Sequence, residues 1–288
     1  MNRIALVLLA LLLSSAAGAA EYSDLYVVPI AGHVRGAFGT AWRTDVVLHN
    51  IQPVPITVEL AMVESGRRPS ADVVALGAAG GTALVLMPGE TRTLSDVAGH
   101  LGRDLAGALI AGADQPFALT SRTWAELPSG RTLGQSVVPV AIGGEADAVN
   151  EVAVLPSLAP GARQRANVGF FAAASHAPLV VEVALRSPSG ASLGSRLVVL
   201  DEPGFVHRQL AVPATTEAGG STAVIRILQG DGVVIPYASV IDNVSAESLF
   251  VSGQPVAVRG AASRGLLARA VLGSSVPRVP RFLGPSGR

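Results

Sequence analysis

The chain has 288 residues, which is room for about two domains of ordinary size; 49% of the residues are apolar, 15% are charged, and the formal net charge is zero. This composition is the opposite of that of a disordered chain, and it argues against a generally basic nucleic-acid-binding protein. The absence of cysteine excludes disulfide scaffolds, thiolate metal sites and cysteine nucleophiles.

The first twenty residues have the pattern of a secretory signal peptide. Arg3 precedes an unbroken apolar stretch over 4–13, and small residues end at Ala19 and Ala20. An uncleaved anchor is the weaker interpretation, because the apolar stretch is shorter than the roughly 20 residues that span a bilayer. The sequence therefore predicts an exported protein, periplasmic or extracellular, with no transmembrane span in the mature chain.

Beyond the signal peptide, the sequence has the two-residue alternation of β-strands. In residues 56–62, for example, Ile, Val, Leu and Met occupy every second position, which predicts one buried face. Turn residues interrupt the alternation at intervals of about 8–12 residues, as at Pro88–Gly89 and Pro188–Gly190. Residues 95–101 alone indicate a helix, with Ser95 as N-cap and Gly102 as stop; a loop turn is the alternative.

An internal repeat is the most informative feature of the sequence. Arg43-x-Asp45 with the following valine matches Arg165-x-Asn167 with its own valine. Four further pairs follow in the same order: 56–60 with 179–183, 88–89 with 203–204, 117–121 with 235–239, and 139–140 with 255–256. The spacing suits one β-sandwich per copy and is too long for solenoid or propeller repeats.

The predicted fold is all-β, with two tandem immunoglobulin-like antiparallel β-sandwich domains. The predicted segments are a signal peptide at 1–20, repeat 1 at 24–143, repeat 2 at 150–257 and a basic, disordered tail at 258–288. One large jelly roll made of both halves is the alternative. It predicts intimate strand pairing between the copies, whereas two sandwiches predict a small interface.

The segment Trp42-Arg43-Thr44-Asp45-Val46-Val47-Leu48-His49-Asn50, followed by a proline turn, an apolar strand, Pro88–Gly89 and Ser121-Arg122-Thr123-Trp124, resembles the repeat unit of secreted bacterial tandem β-sandwich proteins. The resemblance is specific in the first copy; the second departs from it at Ala166, Ala172 and Asp242. It implies a fold and export. It brings no known activity, and no catalytic residue comes with it.

The candidates for ligand or partner contact are five residues of the first copy: Trp42, Arg43, Asp45, Arg122 and Trp124. On a strand, Arg43 and Asp45 project to one face and Trp42 to the other. The Arg-Asp pair either binds a ligand or braces a neighbouring strand or loop. Asn167 in the second copy favours bracing, because an amide keeps hydrogen bonding and loses acid-base chemistry. The tryptophans with Arg122 form either a sugar-stacking platform or ordinary packing.

Catalytic and cofactor motifs are missing from the sequence. The five histidines are isolated and lack metal-ligand spacing, and no Gly-x-Ser-x-Gly elbow occurs. A phosphate-binding Gly-Lys loop is impossible, because every basic residue is arginine. No catalytic residue, metal or cofactor is predicted.

The zero net charge conceals a segregation of charge. Arg3 and the six arginines after residue 258 leave 14 arginines against all 21 acidic residues over 21–257, a formal charge of −7. The tail arginines Arg264, Arg269, Arg278 and Arg281 are candidates for contact with an anionic surface or with the acidic body. A solvated terminus is the alternative.

The sequence therefore predicts an exported, non-catalytic binding or scaffolding protein of the bacterial envelope or extracellular space. Its expected partner is a protein or an envelope polymer, with no specific nucleic acid. A carbohydrate-binding module is the first alternative, which two coplanar exposed tryptophans would favour. A hydrolase is the second, which would need a deep cleft between the domains lined by carboxylates or histidines.

Overall fold

The computed structural model describes residues 22–36, 39–66, 74–75, 84–101, 104–142, 152–158, 163–174, 178–213, 220–245 and 247–258. The predicted signal peptide, almost all of the predicted join between the repeats and the arginine tail lie outside the described residues. No helix within the described ranges is long and apolar enough to cross a membrane.

The described chain is almost entirely antiparallel β-structure, which confirms the all-β prediction. The first half contains β1 (Ser23–Arg35), β2 (Ala41–His49), β3 (Ile56–Glu64), β4 (Val74–Ala75), β5 (Leu84–Leu86), β6 (Thr91–Leu94), α1 (Val97–Leu101), β7 (Leu105–Glu126), β8 (Thr132–Ser136) and β9 (Val140–Ala141). The second half contains β10 (Val152–Leu158), β11 (Gln164–Ala174), β12 (Leu179–Arg186), β13 (Ser192–Leu200), β14 (Gly204–Val212), β15 (Ser221–Gln229), β16 (Gly232–Asp242), β17 (Ser248–Ser252) and β18 (Val256–Val258).

The first half consists of two layers around one core. The β1 layer has the order β9-β1-β7-β3, with β4 and β5 both paired to β3, and the β2 layer has the order β6-β2-β7-β8. Strand β7 belongs to both layers because it is 22 residues long. Its first part pairs with β1 and β3, and its last part pairs with β2 and β8. Apolar side chains such as Leu60, Leu109 and Phe117 fill the space between the layers.

The second half has the same strand order. The β12 layer is β10-β15-β12-β13, and the β11 layer is β14-β11-β16-β17 with β18 beside β16. The two strands that correspond to β7 are separate here, because β15 ends at Gln229 and β16 begins at Gly232. In each half the first strand pairs with β15 or with the part of β7 that corresponds to it. In the first half, the end of β1 also pairs with β2, through Val34 and Arg35.

The strand registers test the repeat alignment residue by residue. Positions 56, 58 and 60 of β3 and positions 179, 181 and 183 of β12 all face the core of their own half, as the alignment predicts. The sequence alignment of 117–121 with 235–239 differs by one residue from the register of the strands. Val46 lies opposite Ser121, while the matching Val168 lies opposite Ala238 and not opposite Ser239.

A third apolar cluster joins the two halves. The outward face of the β1 layer contributes six buried residues, and the outward face of the β11 layer contributes five. They are Leu25, Val27, Ala61, Val63, Ala108 and Ile110 on one side and Phe171, Ala173, Phe205, Val233 and Ile235 on the other. The four layers are thus stacked in the order β2, β1, β11, β12, and the two inner layers are buried on both faces.

This contact corrects the expectation of a small interface between two sandwiches. Strand pairing between the halves, within the described ranges, consists of one parallel bridge between Ser65 and His207, beside which the Gly66 N–H donates to the His207 carbonyl at 3.2 Å. The intimate pairing expected of one large jelly roll is therefore not seen in this part of the chain either. Side-chain packing, and not a shared sheet, holds the halves together.

Helix α1 confirms the predicted helix and moves its cap by one residue. Asp96, and not Ser95, lies before the first helical residue and has a positive φ of 51°. Its Oδ1 accepts a hydrogen bond from the Gly99 N–H at 3.3 Å, as an N-cap side chain does. The buried side chains of Val97 and Leu101 close one end of the first core.

Candidate functional site

The Arg-x-Asp motif of the first copy forms a network that braces α1 against the β2 layer. Asp45 Oδ1 accepts from the Asp96 backbone N–H at 2.9 Å, and Asp45 Oδ2 accepts from Trp124 Nε1 at 2.9 Å. Asp96 Oδ2 in turn lies 2.7 Å from His33 Nδ1 and 3.3 Å from Arg43 Nε. Both carboxylate oxygens of Asp45 therefore accept hydrogen bonds from other parts of the first half, which supports the bracing interpretation.

Asn50, the last residue of the motif segment, also has a structural role. Its side chain is fully buried, with Nδ2 donating to the Val54 and Leu86 carbonyls and Oδ1 accepting from the Gln52 N–H. The amide fixes the proline-containing turn between β2 and β3. The hydrogen bonds of the motif in the first half therefore hold its own turn, helix and strands in place.

The two tryptophans lie on opposite faces of the β2 layer. Trp124 is directly opposite Arg43 in the ladder and shares its face, whereas Trp42 is opposite Ala125 on the other face. Arg122 is exposed and lies opposite Asp45. The coplanar platform of Trp42, Trp124 and Arg122, on which the sugar-stacking hypothesis depended, is therefore not formed.

We expect Asp45→Asn to destabilise the fold modestly. The amide keeps one acceptor oxygen but presents an NH2 group to the second donor, so one of the two hydrogen bonds is lost at a cost of about 1–2 kcal/mol in the free energy of unfolding. Urea denaturation measures this loss. Asp201→Asn, at an exposed turn position, is the matched control and should stay within about 0.5 kcal/mol of the parent. An equal, small effect of both changes would contradict the bracing role.

The second copy of the motif lies at a cleft between the halves. Arg165 and Asn167 of β11 line this cavity of about 260 Å³ together with Trp42. The described residues that line it are Ile30, Ala31, Gly32, Val34, Gly36, Trp42, Ala106, Gly107, Thr123, Gln135, Arg165, Asn167, His207, Gln209, Ser239 and Ile241. The first half supplies mostly backbone and small apolar groups, and the second half supplies most of the polar side chains.

Two side chains of the cleft, Gln135 on β8 and His207 on β14, are almost completely buried. Oε1 of Gln135 has no hydrogen-bond partner among the described residues. Gln135 is 8% exposed and His207 is 1% exposed. Buried polar atoms of this kind are normally paired, so the cleft has hydrogen-bonding capacity that the fold does not use.

His207 is neutral at physiological pH. Its complete burial lowers the pKa of the imidazole to about 4; the Pro29 backbone opposes this shift, and the Arg208 charge adds to it. Nε2 lies 2.7 Å from the hydroxyl of Tyr237, and the two rings are stacked. Burial also raises the pKa of Tyr237, so both groups remain uncharged. Gly169 makes room for this pair, because a methyl group there would overlap the Tyr237 ring.

The described residues of the cleft lining include no carboxylate, and the histidine among them is buried with a lowered pKa. Within the described ranges, no group of three or more His, Asp or Glu side chains is placed to hold a metal ion. The described lining residues offer amide, hydroxyl and guanidinium groups for hydrogen bonding.

Of the five candidate residues from the sequence, the structure places one, Trp42, at this cleft. Arg43, Asp45 and Trp124 lie in the bracing network, and Arg122 lies on the exposed face beside it. The cleft also contains four polar residues that no sequence motif marks, which are Gln135, His207, Gln209 and Ser239. The repeat was the available signal for this cleft, because Arg165 and Asn167, which line it, occupy the strand positions of Arg43 and Asp45 in the first copy.

Comparisons with known proteins add little. No family model matches the chain, and no curated protein matches it. Among solved structures, the chain is similar to a calcium-binding mutant of Bacteroides uniformis beta-glucuronidase 2, with 8% identity and a TM-score of 0.17, over 78% of this chain and 28% of that one. It is also similar to the same enzyme covalently bound to cyclophellitol-6-carboxylate aziridine, with 9% identity and a TM-score of 0.14, over 74% and 26% of the two chains. The chain thus spans about a quarter of the length of these structures.

Proposed function

We propose that this chain is an exported, non-catalytic scaffolding protein that binds a second copy of itself through the outward face of the β12 layer. One observation carries the proposal: this face is apolar and exposed, whereas the corresponding face of the first half is covered. Consistent with the sequence resemblance, we propose two tandem β-sandwich domains of the secreted bacterial type. The immunoglobulin-like part of that prediction is limited to the sandwich architecture, because in each half the first strand pairs mainly with β15 or the matching part of β7.

The exposed face consists of aliphatic side chains. They lie on strands whose alternate residues face the core of the second half. They are Val152 and Val154 on β10, Leu197 and Val199 on β13, and Leu228 on β15. Each is between 42% and 56% exposed. An exposed apolar face of this kind is typical of an interaction surface.

The repeat indicates how such a face is used. In the first half, the β1 layer has the same strand order as the β12 layer, and its outward face packs against another sheet through the third cluster. Sheet-on-sheet packing is therefore an established use of this surface within the chain itself.

Charge complementarity favours a second copy in a two-fold arrangement. The other outermost face of the stack, on the β2 layer, displays the polar residues Arg43, Asp45 and Arg122, so it does not match an aliphatic face. The aliphatic face of the β12 layer is instead complementary to the same face of a second copy. At its middle, Arg226 Nε and Glu182 Oε2 form an ion pair at 2.9 Å, and a two-fold axis there would let each pair meet its copy with opposite charges facing.

Light scattering of the purified protein during size-exclusion chromatography tests this proposal. We expect a mass of two chains that falls toward one chain on dilution. The double variant Val154→Glu/Val199→Glu should be monomeric at every concentration, because four charges would be buried without partners in the dimer.

Val138→Glu/Val54→Glu is the matched control. These valines are 56% and 51% exposed, against 54% and 48% for Val154 and Val199, but they lie on the first half and outside the β12 layer. The control should remain dimeric. A parent protein that is monomeric throughout would overturn the proposal, and so would a Val154→Glu/Val199→Glu variant that still dimerises.

A further inference from the structure

We infer that the cleft between the halves is a binding site for one uncharged sugar ring. This inference is independent of the proposed self-association, because the cleft lies between the β1 and β11 sides of the stack and the proposed dimer face lies on the outer side of the β12 layer. It also differs from the sugar-stacking hypothesis of the sequence analysis, since Trp42 contributes and Trp124 does not.

The first step of the inference is the unused hydrogen-bonding capacity. Oε1 of Gln135 is an acceptor on a residue that is only 8% exposed, and no group in the described part of the chain donates to it. A ligand that donates a hydrogen bond at this place removes the penalty of burying the oxygen. A purely apolar ligand would leave the penalty in place, so the ligand carries at least one N–H or O–H group.

The second step is the chemistry of the other polar groups. Asn167 and Gln209 each offer an amide that donates and accepts, and Ser239 offers a hydroxyl that does the same. Groups of this dual kind match hydroxyls, which also donate and accept. Among the described lining residues there is no carboxylate to balance a cation, and the Arg165 guanidinium is already engaged with Asn243 Oδ1, so the groups that offer themselves to a ligand are the uncharged amides and the hydroxyl.

The third step is the shape and size of the cleft. The indole of Trp42 gives a flat apolar wall of the kind on which the C–H face of a sugar ring packs, and Ile30, Val34 and Ile241 extend the apolar part of the lining. A volume of about 260 Å³ corresponds to about nine water molecules at roughly 30 Å³ each. This is space for a single ring and a few waters, and not for a long chain of sugars.

The two tryptophans of the chain allow a direct test by fluorescence. In Trp124→Phe, the sole indole is Trp42 at the cleft; in Trp42→Phe, the sole indole is Trp124 in the bracing network. D-glucose, D-galactose and N-acetyl-D-glucosamine are the probes, each titrated to about 50 mM, a range that detects millimolar dissociation constants. We expect a saturable change with at least one probe in Trp124→Phe and none in Trp42→Phe.

Gln135→Leu, made in the Trp124→Phe background, separates a binding role from a structural one. The change removes the unpaired oxygen, so the unfolding midpoint should stay the same or rise, while binding should weaken at least tenfold. Gln229→Leu, at an exposed position near the end of β15, is the control and should bind like its parent. A thermal melt of each variant shows that it is folded.

Three results would overturn the inference. They are the absence of a saturable signal with all three probes, unchanged binding in folded Gln135→Leu, and binding of D-glucuronate when none of the neutral sugars binds. The last result would mean that a carboxylate, through Arg165, and not the hydroxyl groups, determines recognition.

Discussion

Phe171→Ala should lower the free energy of unfolding by about 3–5 kcal/mol and separate the unfolding of the two halves. Phe171 is completely buried in the third cluster, where its ring stacks on that of Phe205 with the centroids 6.1 Å apart. The cavity left by the truncation cannot collapse easily, because rigid sheets lie on both sides of it. The parent should unfold in one transition, since the shared cluster couples the halves.

Two spectroscopic signals in one urea titration measure this effect. Both tryptophans lie in the first half, so their fluorescence follows that half, while far-ultraviolet circular dichroism follows both. The midpoints of the two signals should coincide in the parent and differ in Phe171→Ala.

Phe170→Ala is the matched control, because Phe170 is the next residue along β11 and faces the core of the second half instead. It should be destabilising while its two midpoints still coincide. Separate midpoints already in the parent, or coincident midpoints in Phe171→Ala, would contradict the coupling.

Acid should destabilise the protein by about 3 kcal/mol between pH 6.5 and pH 4 through His207 alone. The pKa of this imidazole falls from an ordinary value of 6.5 to about 4 in the fold, because burial disfavours the charged form. Between these values the unfolded chain binds the proton and the folded chain does not, so stability falls as the pH falls. Above pH 6.5 the histidine is neutral in both states and contributes no slope.

Urea midpoints measured at intervals from pH 7.5 to 4 give the slope. His207→Gln should flatten the curve in this window, whereas His100→Gln, at an exposed position of α1, should leave the slope unchanged. Asp242 does not interfere. Backbone N–H groups of Ser245 and Val244 lower the pKa of this carboxyl to about 2 from 3.8, so its contribution is lost only below about pH 4. A slope in His207→Gln equal to that of the parent would contradict the assignment.

The alternation of apolar residues was sufficient to predict the strands and the core of each half. The register of β3 and β12 follows from it directly, because a one-residue slip would turn every core side chain outward. The same rule explains why the sequence alignment of 117–121 with 235–239 is shifted by one residue. Residues 235–239 are apolar on both faces, so alternation alone does not fix which face is inward, and the order of the repeats could not correct a slip of one.

The contact between the halves could not be predicted by the same reasoning, which treated each sheet as buried on one face. Residues 25–28 and 233–235 are continuous apolar runs, a pattern that fits strands buried on both sides. The cleft is harder still to predict, because Gln135 and His207, which line it from β8 and β14, are 72 positions apart in the sequence. No local spacing encodes such a site.

The stacking order also has a consequence for synthesis. The β1 layer is complete once residues 22–141 have been made, but the strands that cover its outward face begin only at Gln164 and end at Asp242. Chains are synthesised from the amino terminus. The apolar outward face of the β1 layer therefore stays uncovered until most of the second half has been made. A chain that stops between β9 and β11 would keep this sheet exposed, so truncated products should aggregate while chains that reach β16 do not.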